Sequence, residues 1–185
     1  PVYQYEKMIL KTSKAKIYFK YQLSGTDIPY FFIHGFTGSS ESWNNVISML
    51  NSPYIAIDVV GHGKSSFLDF RDKYSEEDWC YEIYLLLQKI NIKKINLCGY
   101  SLGGRLSIAF AKKYPDLINS LVLESSSLGI ETLDEKEKRY SDDLLIAEKI
   151  RCNYENFIRE WEGNSLFKTQ KTNNKKEWNL QKEIR

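Results

Sequence analysis

The run Gly99–Gly103, with the sequence GYSLG, could place a reactive serine at the end of a sheet. A Gly-x-Ser-x-Gly run that follows a strand and opens a helix forms a sharp turn that exposes the serine hydroxyl. The strand-like run Ile95–Cys98 before it and the helix-like segment 102–114 after it supply that context. Ser101 is therefore the candidate catalytic residue. The alternative is an ordinary serine in a glycine-rich turn.

The sequence does not supply the base that such a serine needs. In this arrangement the acid and the histidine follow the serine along the chain. Both histidines of this sequence, His34 and His62, precede Ser101, where the fold would not place the base. Glu124, at the end of a predicted strand, could replace the acid, but a missing histidine removes most of the activation of the serine. We therefore expect a chain that lacks the C-terminal strands and helices of its fold.

The segment His34–Gly38 follows the first strand of the predicted parallel series. With an elbow of this type, this loop gives one backbone N–H of an oxyanion hole and the residue after the serine gives the other. The oxyanion hole is thus assigned to the backbones of Phe36 and Leu102. His34 is expected to orient the loop by hydrogen bonding, with a simple turn histidine as the alternative. No metal site is expected, because His34 and His62 have no third ligand at a suggestive spacing.

Arginines supply the candidate substrate contacts. Arg105 lies four residues after Ser101 on the predicted helix, and side chains lean toward the helix N-terminus. Its guanidinium can therefore reach toward the elbow, where it would bind a carboxylate through two parallel hydrogen bonds. A surface salt bridge is the alternative for Arg105. Arg139, in a charged segment further along, is a second candidate, with a solvated surface position as its alternative.

Strand and helix patterns alternate over residues 1–127. After an N-terminal hairpin, short apolar runs typical of strands buried on both faces occur at 28–33, 54–58, 95–98 and 121–123. Amphipathic helical patterns separate these runs. The alternation predicts an α/β fold with a mostly parallel sheet and helices on both faces. Residues 128–185 are charged and amphipathic without a strand pattern, which predicts a helical cap region.

Composition excludes several classes of function. The net charge of +2 over 185 residues is too small to indicate a nucleic-acid or anionic membrane partner. The three cysteines, Cys80, Cys98 and Cys152, have spacings that suggest neither a zinc site nor a disulfide framework. The first 20 residues have no apolar segment, so we expect no signal peptide, and no run approaches the roughly 18 apolar residues of a membrane span. We expect a cytoplasmic protein, a monomer or weak homo-oligomer, that acts on a small molecule.

Five stretches together resemble a known family: His34–Ser40, Gly61–Ser65, Gly99–Arg105, Leu123–Ile130 and Trp161–Phe167. The sequence resembles the α/β-hydrolase fold and, within it, the 2-succinyl-6-hydroxy-2,4-cyclohexadiene-1-carboxylate synthases of menaquinone and phylloquinone biosynthesis. The first two stretches are common to many α/β-hydrolases. The arginine after the elbow, the segment after Leu123 and the region around Trp161 narrow the resemblance to the synthases.

The resemblance implies a cofactor-free elimination of pyruvate from a cyclohexene that carries several carboxylates. In that family the serine abstracts a proton instead of forming an acyl-enzyme, and Ser101 takes that role here. The resemblance assigns substrate binding to five residues: Tyr100, Arg105, Arg139, Trp161 and Arg185.

Two other functions remain open on the same fold. A serine esterase or C–C hydrolase would have an apolar pocket, whereas arginines facing Ser101 would favour a polycarboxylate substrate. A shortened, non-catalytic protein would have to be stable by itself. The strand at 121–123 would then be an unpaired edge with uncovered apolar faces, which argues against that interpretation.

Overall fold

The computed structural model describes residues 5–69, 71 and 73–184. The strands are β1 (Glu6–Lys11), β2 (Ala15–Gln22), β3 (Tyr30–Ile33), β4 (Tyr54–Ile57), β5 (Ser66–Phe67), β6 (Ile95–Tyr100) and β7 (Ile118–Glu124). The α-helices are α1 (Asn44–Met49), α2 (Glu76–Lys89), α3 (Leu102–Lys113), α4 (Leu133–Cys152), α5 (Tyr154–Glu162), α6 (Lys168–Asn173) and α7 (Lys175–Ile184). Short 3₁₀ turns lie at Ser40–Trp43, Pro115–Leu117 and Ser165–Phe167.

The described strands form one mixed sheet in the order β1-β2-β4-β3-β6-β7, with β5 paired to β2. β1 and β2 form the expected antiparallel hairpin, and β2 also pairs antiparallel with β4. β4, β3, β6 and β7 are parallel to their neighbours. The prediction of an α/β fold with a mostly parallel sheet is confirmed. Its parallel strands share their carboxyl ends at one edge, where the chain turns into loops and helices.

Helices cover the described sheet on both faces. Successive side chains of a strand point to opposite sides of the sheet, so the apolar strands have two faces to bury. The larger core lies beneath α2 and α3 and includes Phe31, Ile55, Leu97, Trp79 and Phe110. The smaller core lies beneath the 3₁₀ turn and α1. It consists of Phe32, Trp43, Tyr54, Ala56 and Cys98. Both faces of β3 are thus buried, as its apolar run predicts.

Several strand boundaries differ from the predicted ones. The run predicted at 28–33 forms a strand only from Tyr30, although the carbonyl of Pro29 still accepts the Asn96 N–H at 2.9 Å. The last strand begins at Ile118, three residues before the predicted run, where it pairs with Ile95 of β6. Polar residues at the start of β7 hide this extension from a search for apolar runs.

The chain divides into two compact units, Pro1–Leu128 and Gly129–Glu183. The second unit is helical over its described residues, from α4 to α7. An aromatic series holds it together: ring centroids lie 5.9 Å apart for Phe157 and Trp161, 6.1 Å for Trp161 and Phe167, and 5.6 Å for Phe167 and Trp178. Its role as a cap stays a prediction. No helix in the described residues is long and apolar enough to cross a bilayer.

Candidate active site

Ser101 sits on a strained turn between β6 and α3. Its backbone has φ 52° and ψ −110°, a conformation that side chains rarely adopt. Glycines are required on both sides of Ser101, because neighbouring backbone segments come too close there for a side chain. A Cβ atom on Gly103 would lie 2.2 Å from the carbonyl oxygen of Ile33, and one on Gly99 would lie 2.4 Å from the carbonyl oxygen of Gly103. The local backbone is that of an elbow which presents a serine.

The neighbouring strand holds the elbow in place. The Ser101 N–H donates to the carbonyl of Glu124 at 2.9 Å, which extends the pairing of β6 with β7. Ser126, just after β7, directs its hydroxyl at two acceptors, the carbonyls of Ser101 at 3.2 Å and Glu124 at 3.0 Å. Ser125, which lies between Glu124 and Ser126 in the sequence, has φ 50°. Two strained serines therefore end adjacent parallel strands, and hydrogen bonds join the two turns.

The loop after β3 lies against the elbow. A Cβ atom on Gly35 would lie 2.7 Å from Cδ1 of Tyr100 and 3.4 Å from Cβ of Ser101. The loop turns tightly, since the Gly38 N–H donates to the carbonyl of Gly35 at 3.0 Å. Leu102 begins α3, and the N–H of a first helical residue has no partner within its own helix. The loop that carries Phe36 and the start of α3 thus both lie next to Ser101.

His34 is fully buried and uses both ring nitrogens. Nε2 accepts the Val59 N–H at 2.9 Å, and Nδ1 lies 2.7 Å from the carbonyl oxygen of Gly35. Since Nε2 is an acceptor, the ring proton is on Nδ1 and is donated to Gly35. Burial lowers the pKa of His34 to about 4, although the hydrogen bond with the Gly35 carbonyl acts to raise it. His34 is thus a neutral bridge between two loops, and both of its nitrogens are engaged.

His62 packs beside His34 in the loop after β4. Its ring centroid is 5.3 Å from that of His34 and 5.8 Å from that of Phe36. Burial lowers its pKa, partly opposed by the Val60 carbonyl and by Asp58. The structure thus places the His62 side chain against the ring of Phe36.

Asp58 is a buried residue that the sequence reading did not single out. Its Oδ1 accepts the Ser40 N–H at 2.6 Å, and its Oδ2 accepts the Lys64 N–H at 2.8 Å. The side chain is 2% exposed. One signal was available: Asp58 directly follows the buried run Tyr54–Ile57, at the carboxyl end of a parallel strand, where ligand sites of open α/β sheets lie.

The predicted substrate-binding residues are divided between the two units. Tyr100 is half-buried before the elbow, and Arg105 is exposed one turn into α3. Arg139 is exposed on α4, where its Nε lies 2.9 Å from Asp143, and Trp161 belongs to the aromatic series of the second unit. Arg185 lies outside the described residues. The first unit therefore brings together Tyr100, Ser101 and the loop of Phe36.

An apolar groove of about 280 Å³ opens on the α1 face of the sheet. It is lined by Tyr30, Phe32, Trp43, Val46, Leu50, Cys98, Gly99, Val122 and Glu124. Glu124, the candidate acid, is the one charged residue in that lining. Within the described residues, no group of three or more His, Cys, Asp or Glu side chains is arranged to hold a metal ion.

Comparison with known proteins agrees with this geometry. Residues 29–151 match the family model described as the alpha/beta hydrolase fold, and the chain belongs to that family. It is similar to a Bacillus subtilis (strain 168) protein that carries the name of a 2-succinyl-6-hydroxy-2,4-cyclohexadiene-1-carboxylate synthase. The two are 38% identical over 140 residues, which cover 75% of this chain and 51% of the relative.

Two further proteins extend the comparison. The synthase of the same name from Klebsiella pneumoniae is 29% identical over 138 residues, with 74% of this chain and 54% of the relative covered. The thioesterase domain of a curacin biosynthetic pathway aligns with a TM-score of 0.62 at 24% identity, over 78% of this chain and 54% of that domain. The chain thus spans about half the length of the curated synthases it matches.

Proposed function

We propose that the full-length protein with this chain eliminates pyruvate from a succinyl-cyclohexene carboxylate, to give 2-succinyl-6-hydroxy-2,4-cyclohexadiene-1-carboxylate. One observation carries the proposal: the strained Ser101 lies against the loop of Phe36, with Arg105 one helical turn further on. The names of the Bacillus and Klebsiella relatives support the same reaction. The enzyme is then a lyase built on a hydrolase fold.

Ser101 acts as the proton acceptor in this mechanism. A C–H proton next to a carbonyl passes to Oγ of Ser101, and the electron pair that it leaves forms a new carbon–carbon double bond. The bond between the ring carbon and the oxygen of the pyruvyl substituent then breaks. The enolate of pyruvate leaves with that oxygen and becomes pyruvate by taking up the proton that the base had removed from Ser101. Negative charge gathers on the carbonyl oxygen during proton removal. The backbone N–H groups of Phe36 and Leu102 stabilise that charge, as an oxyanion hole does in acyl transfer.

Arg105 supplies the preference for a carboxylate-rich substrate. Its guanidinium offers a planar pair of donors that matches a carboxylate, and it stays charged at any physiological pH. Arg139, Tyr100 and Trp161 are proposed as further substrate contacts. Arg139 would have to exchange its ion pair with Asp143 for a substrate carboxylate.

The base that activates Ser101 is proposed to come from outside these 185 residues. In this type of elbow the histidine follows the serine along the chain, and His34 already uses both nitrogens in backbone hydrogen bonds. His34 is instead proposed to orient the loop that holds Phe36. No cofactor takes part in the proposed reaction.

The reaction is tested by pyruvate release from the synthase substrate by the full-length protein, followed with lactate dehydrogenase and NADH. Ser101→Ala should lower kcat at least about 1,000-fold, because it removes the group that accepts the proton. Ser48→Ala, which deletes a hydroxyl bonded to the Asn45 carbonyl on α1, is the matched control and should retain wild-type activity. Undiminished release by Ser101→Ala would rule out the proposed role.

A serine esterase or C–C hydrolase is the second candidate. The apolar groove beside Gly99 favours it, since such a lining suits an acyl chain better than a polycarboxylate. The same protein would then hydrolyse a nitrophenyl ester with a burst of nitrophenol, the kinetic sign of an acyl-enzyme. Pyruvate release without an ester burst distinguishes the lyase from the esterase.

A further inference from the structure

The carboxylate of Asp58 joins two loops that come from different strands. Ser40, which donates to Oδ1, ends the loop that follows β3 and carries Phe36. Lys64, which donates to Oδ2, belongs to the loop that follows β4. Both oxygens of one buried side chain are therefore used to hold backbone N–H groups that are 24 residues apart in sequence.

His34 makes a second connection between the same loops. Its imidazole links the carbonyl of Gly35 to the N–H of Val59. The loop after β3 is thus attached to the loop after β4 near its start by His34 and at its end by Asp58. Phe36 and Thr37, which has φ 64°, lie between these two attachments.

The backbone of the second loop is shaped to receive the carboxylate. Gly63 has φ 54°, and a Cβ atom there would lie 2.3 Å from Oδ2 of Asp58. A side chain at that position would displace either the loop or the carboxylate. The Ser65 hydroxyl also donates to the Asp58 carbonyl at 2.7 Å, which fixes the backbone of Asp58 itself.

The position of this loop determines the position of Phe36. Oxyanion-hole donors must lie about 2.7–3.1 Å from the oxygen on which charge develops. A displacement of about 1 Å at a reacting group can lower the rate about 100-fold. A Cβ atom on Gly35 would lie 2.7 Å from Tyr100 and 3.4 Å from Ser101, so a shift of this loop alters the geometry around the serine directly.

We propose that Asp58 is a positioning residue, whose two backbone hydrogen bonds hold the Phe36 N–H where the oxyanion forms. This inference rests on the proposed function of Ser101 and Phe36. It requires Asp58 to act through loop geometry, without touching the substrate. Its loss should therefore lower kcat and leave KM nearly unchanged, because the oxyanion exists only in the transition state.

The test compares Asp58→Asn with Glu82→Gln in the full-length protein. An asparagine keeps one acceptor oxygen but turns an NH₂ group toward the other backbone N–H, so one of the two connections is lost. Glu82 is also a buried acid, 3% exposed on α2, and it accepts hydrogen bonds from the hydroxyls of Thr12 and Tyr74. Both variants remove the charge from a hydrogen-bonded buried carboxylate, but only Asp58 holds the loop of Phe36.

Asp58→Asn should lower kcat for pyruvate release at least ten-fold and change KM less than two-fold. Glu82→Gln should change both constants less than two-fold at a temperature where the two variants are folded. Equal losses of kcat in the two variants would overturn the proposal, since a general loss of stability would then explain them. Wild-type kcat in Asp58→Asn would overturn it as well.

Amide hydrogen exchange provides a readout that does not depend on the reaction. The N–H groups of Ser40 and Lys64 should exchange at least ten-fold faster in Asp58→Asn than in the wild type, and less than two-fold faster in Glu82→Gln. Unchanged exchange in Asp58→Asn would overturn the loop attachment. If the wild type releases no pyruvate, the proposed function fails, and faster exchange would still support the attachment of the two loops by Asp58.

Discussion

His34 accepts the backbone N–H of Val59 through Nε2 at 2.9 Å, and this hydrogen bond determines what the imidazole can do. It places the ring proton on Nδ1, where the Gly35 carbonyl accepts it. If Nε2 were protonated, its N–H would point at the N–H of Val59, and neither donor would have an acceptor. Both ring nitrogens of His34 are thereby used to hold the backbones of the neighbouring loops.

Stability should fall with decreasing pH because His34 is buried as the neutral form. Its pKa is lowered from 6.5 to about 4 in the folded protein, so the unfolded chain binds the proton more tightly. The stabilising contribution is complete above about pH 6.5 and is lost as the pH falls toward 4. A shift of this size corresponds to roughly 3 kcal/mol. The pKa of His62 is lowered too, so its contribution has the same sign.

Urea unfolding at pH 7, 6 and 5 measures this dependence. The free energy of unfolding of the full-length wild type should decrease over that range, and His34→Gln should show a shallower decrease even if it is less stable at pH 7. Equal slopes in the two proteins would mean that His34 is not the titrating group.

Gly104 is expected to tolerate a methyl group only if Ser126 is removed. A Cβ atom at Gly104 would lie 1.7 Å from Oγ and 2.6 Å from Cβ of Ser126. Gly104→Ala should therefore destabilise the protein by about 1–3 kcal/mol, the usual effect of overpacking. In the double variant with Ser126→Gly, more than half of that loss should be recovered. Additive effects in a urea double-mutant cycle would contradict the contact.

Arg105 should control the apparent affinity for the substrate. Arg105→Gln should raise KM for the synthase substrate about ten-fold with a smaller change in kcat, since it removes a contact made before the reaction. Arg105→Lys should recover part of the loss because it keeps the charge without the planar pair of donors. Arg139→Gln should also raise KM, because a substrate carboxylate is proposed to replace Asp143 at that guanidinium. An unchanged KM in Arg105→Gln would favour the esterase.

The outer edge of β7 should make the isolated 185-residue chain prone to self-association. Leu121 and Val122 are 39% and 52% exposed on this strand, which pairs with β6 on one side and with no strand of the described residues on the other. We expect the chain to bind an apolar dye and to self-associate.

Val122→Lys should reduce both dye binding and self-association of the isolated chain. Met49→Lys is the matched control, since it adds the same charge at an apolar side chain that is 76% exposed on α1. A soluble monomer that melts cooperatively and binds no dye would contradict the prediction.

The parts of the fold that follow from local pattern could be predicted from the sequence. The buried strands Tyr30–Ile33 and Tyr54–Ile57 are continuous apolar runs, and the elbow is a short motif between a strand and a helix. The two-residue strand Ser66–Phe67 has no such pattern. It forms because the N-terminal part of β2 offers it a partner, with Ala15 opposite Phe67.

The hydrogen bonds that join the loops of the site could not be predicted from the sequence pattern. Asp58 holds the N–H groups of Ser40 and Lys64, and backbone donors leave no trace in a residue pattern. Lys20 is a similar case: it alternates with apolar residues as a solvent-facing strand residue would, yet it is 2% exposed and contacts Glu41 and Asn44. Tertiary partners, which only the folded chain brings close, determine both positions.

The backbone conformation of Ser101, φ 52° and ψ −110°, has a consequence for how this sequence could have drifted. Glycine adopts that conformation freely, whereas a side chain there is strained by roughly 1–3 kcal/mol. Folding and reactivity therefore favour different residues at position 101. In a lineage released from selection for activity, replacement by glycine would be tolerated at once, because it stabilises the fold. The serine at this strained position thus costs the fold stability, which the proposed role of Ser101 in proton transfer would explain.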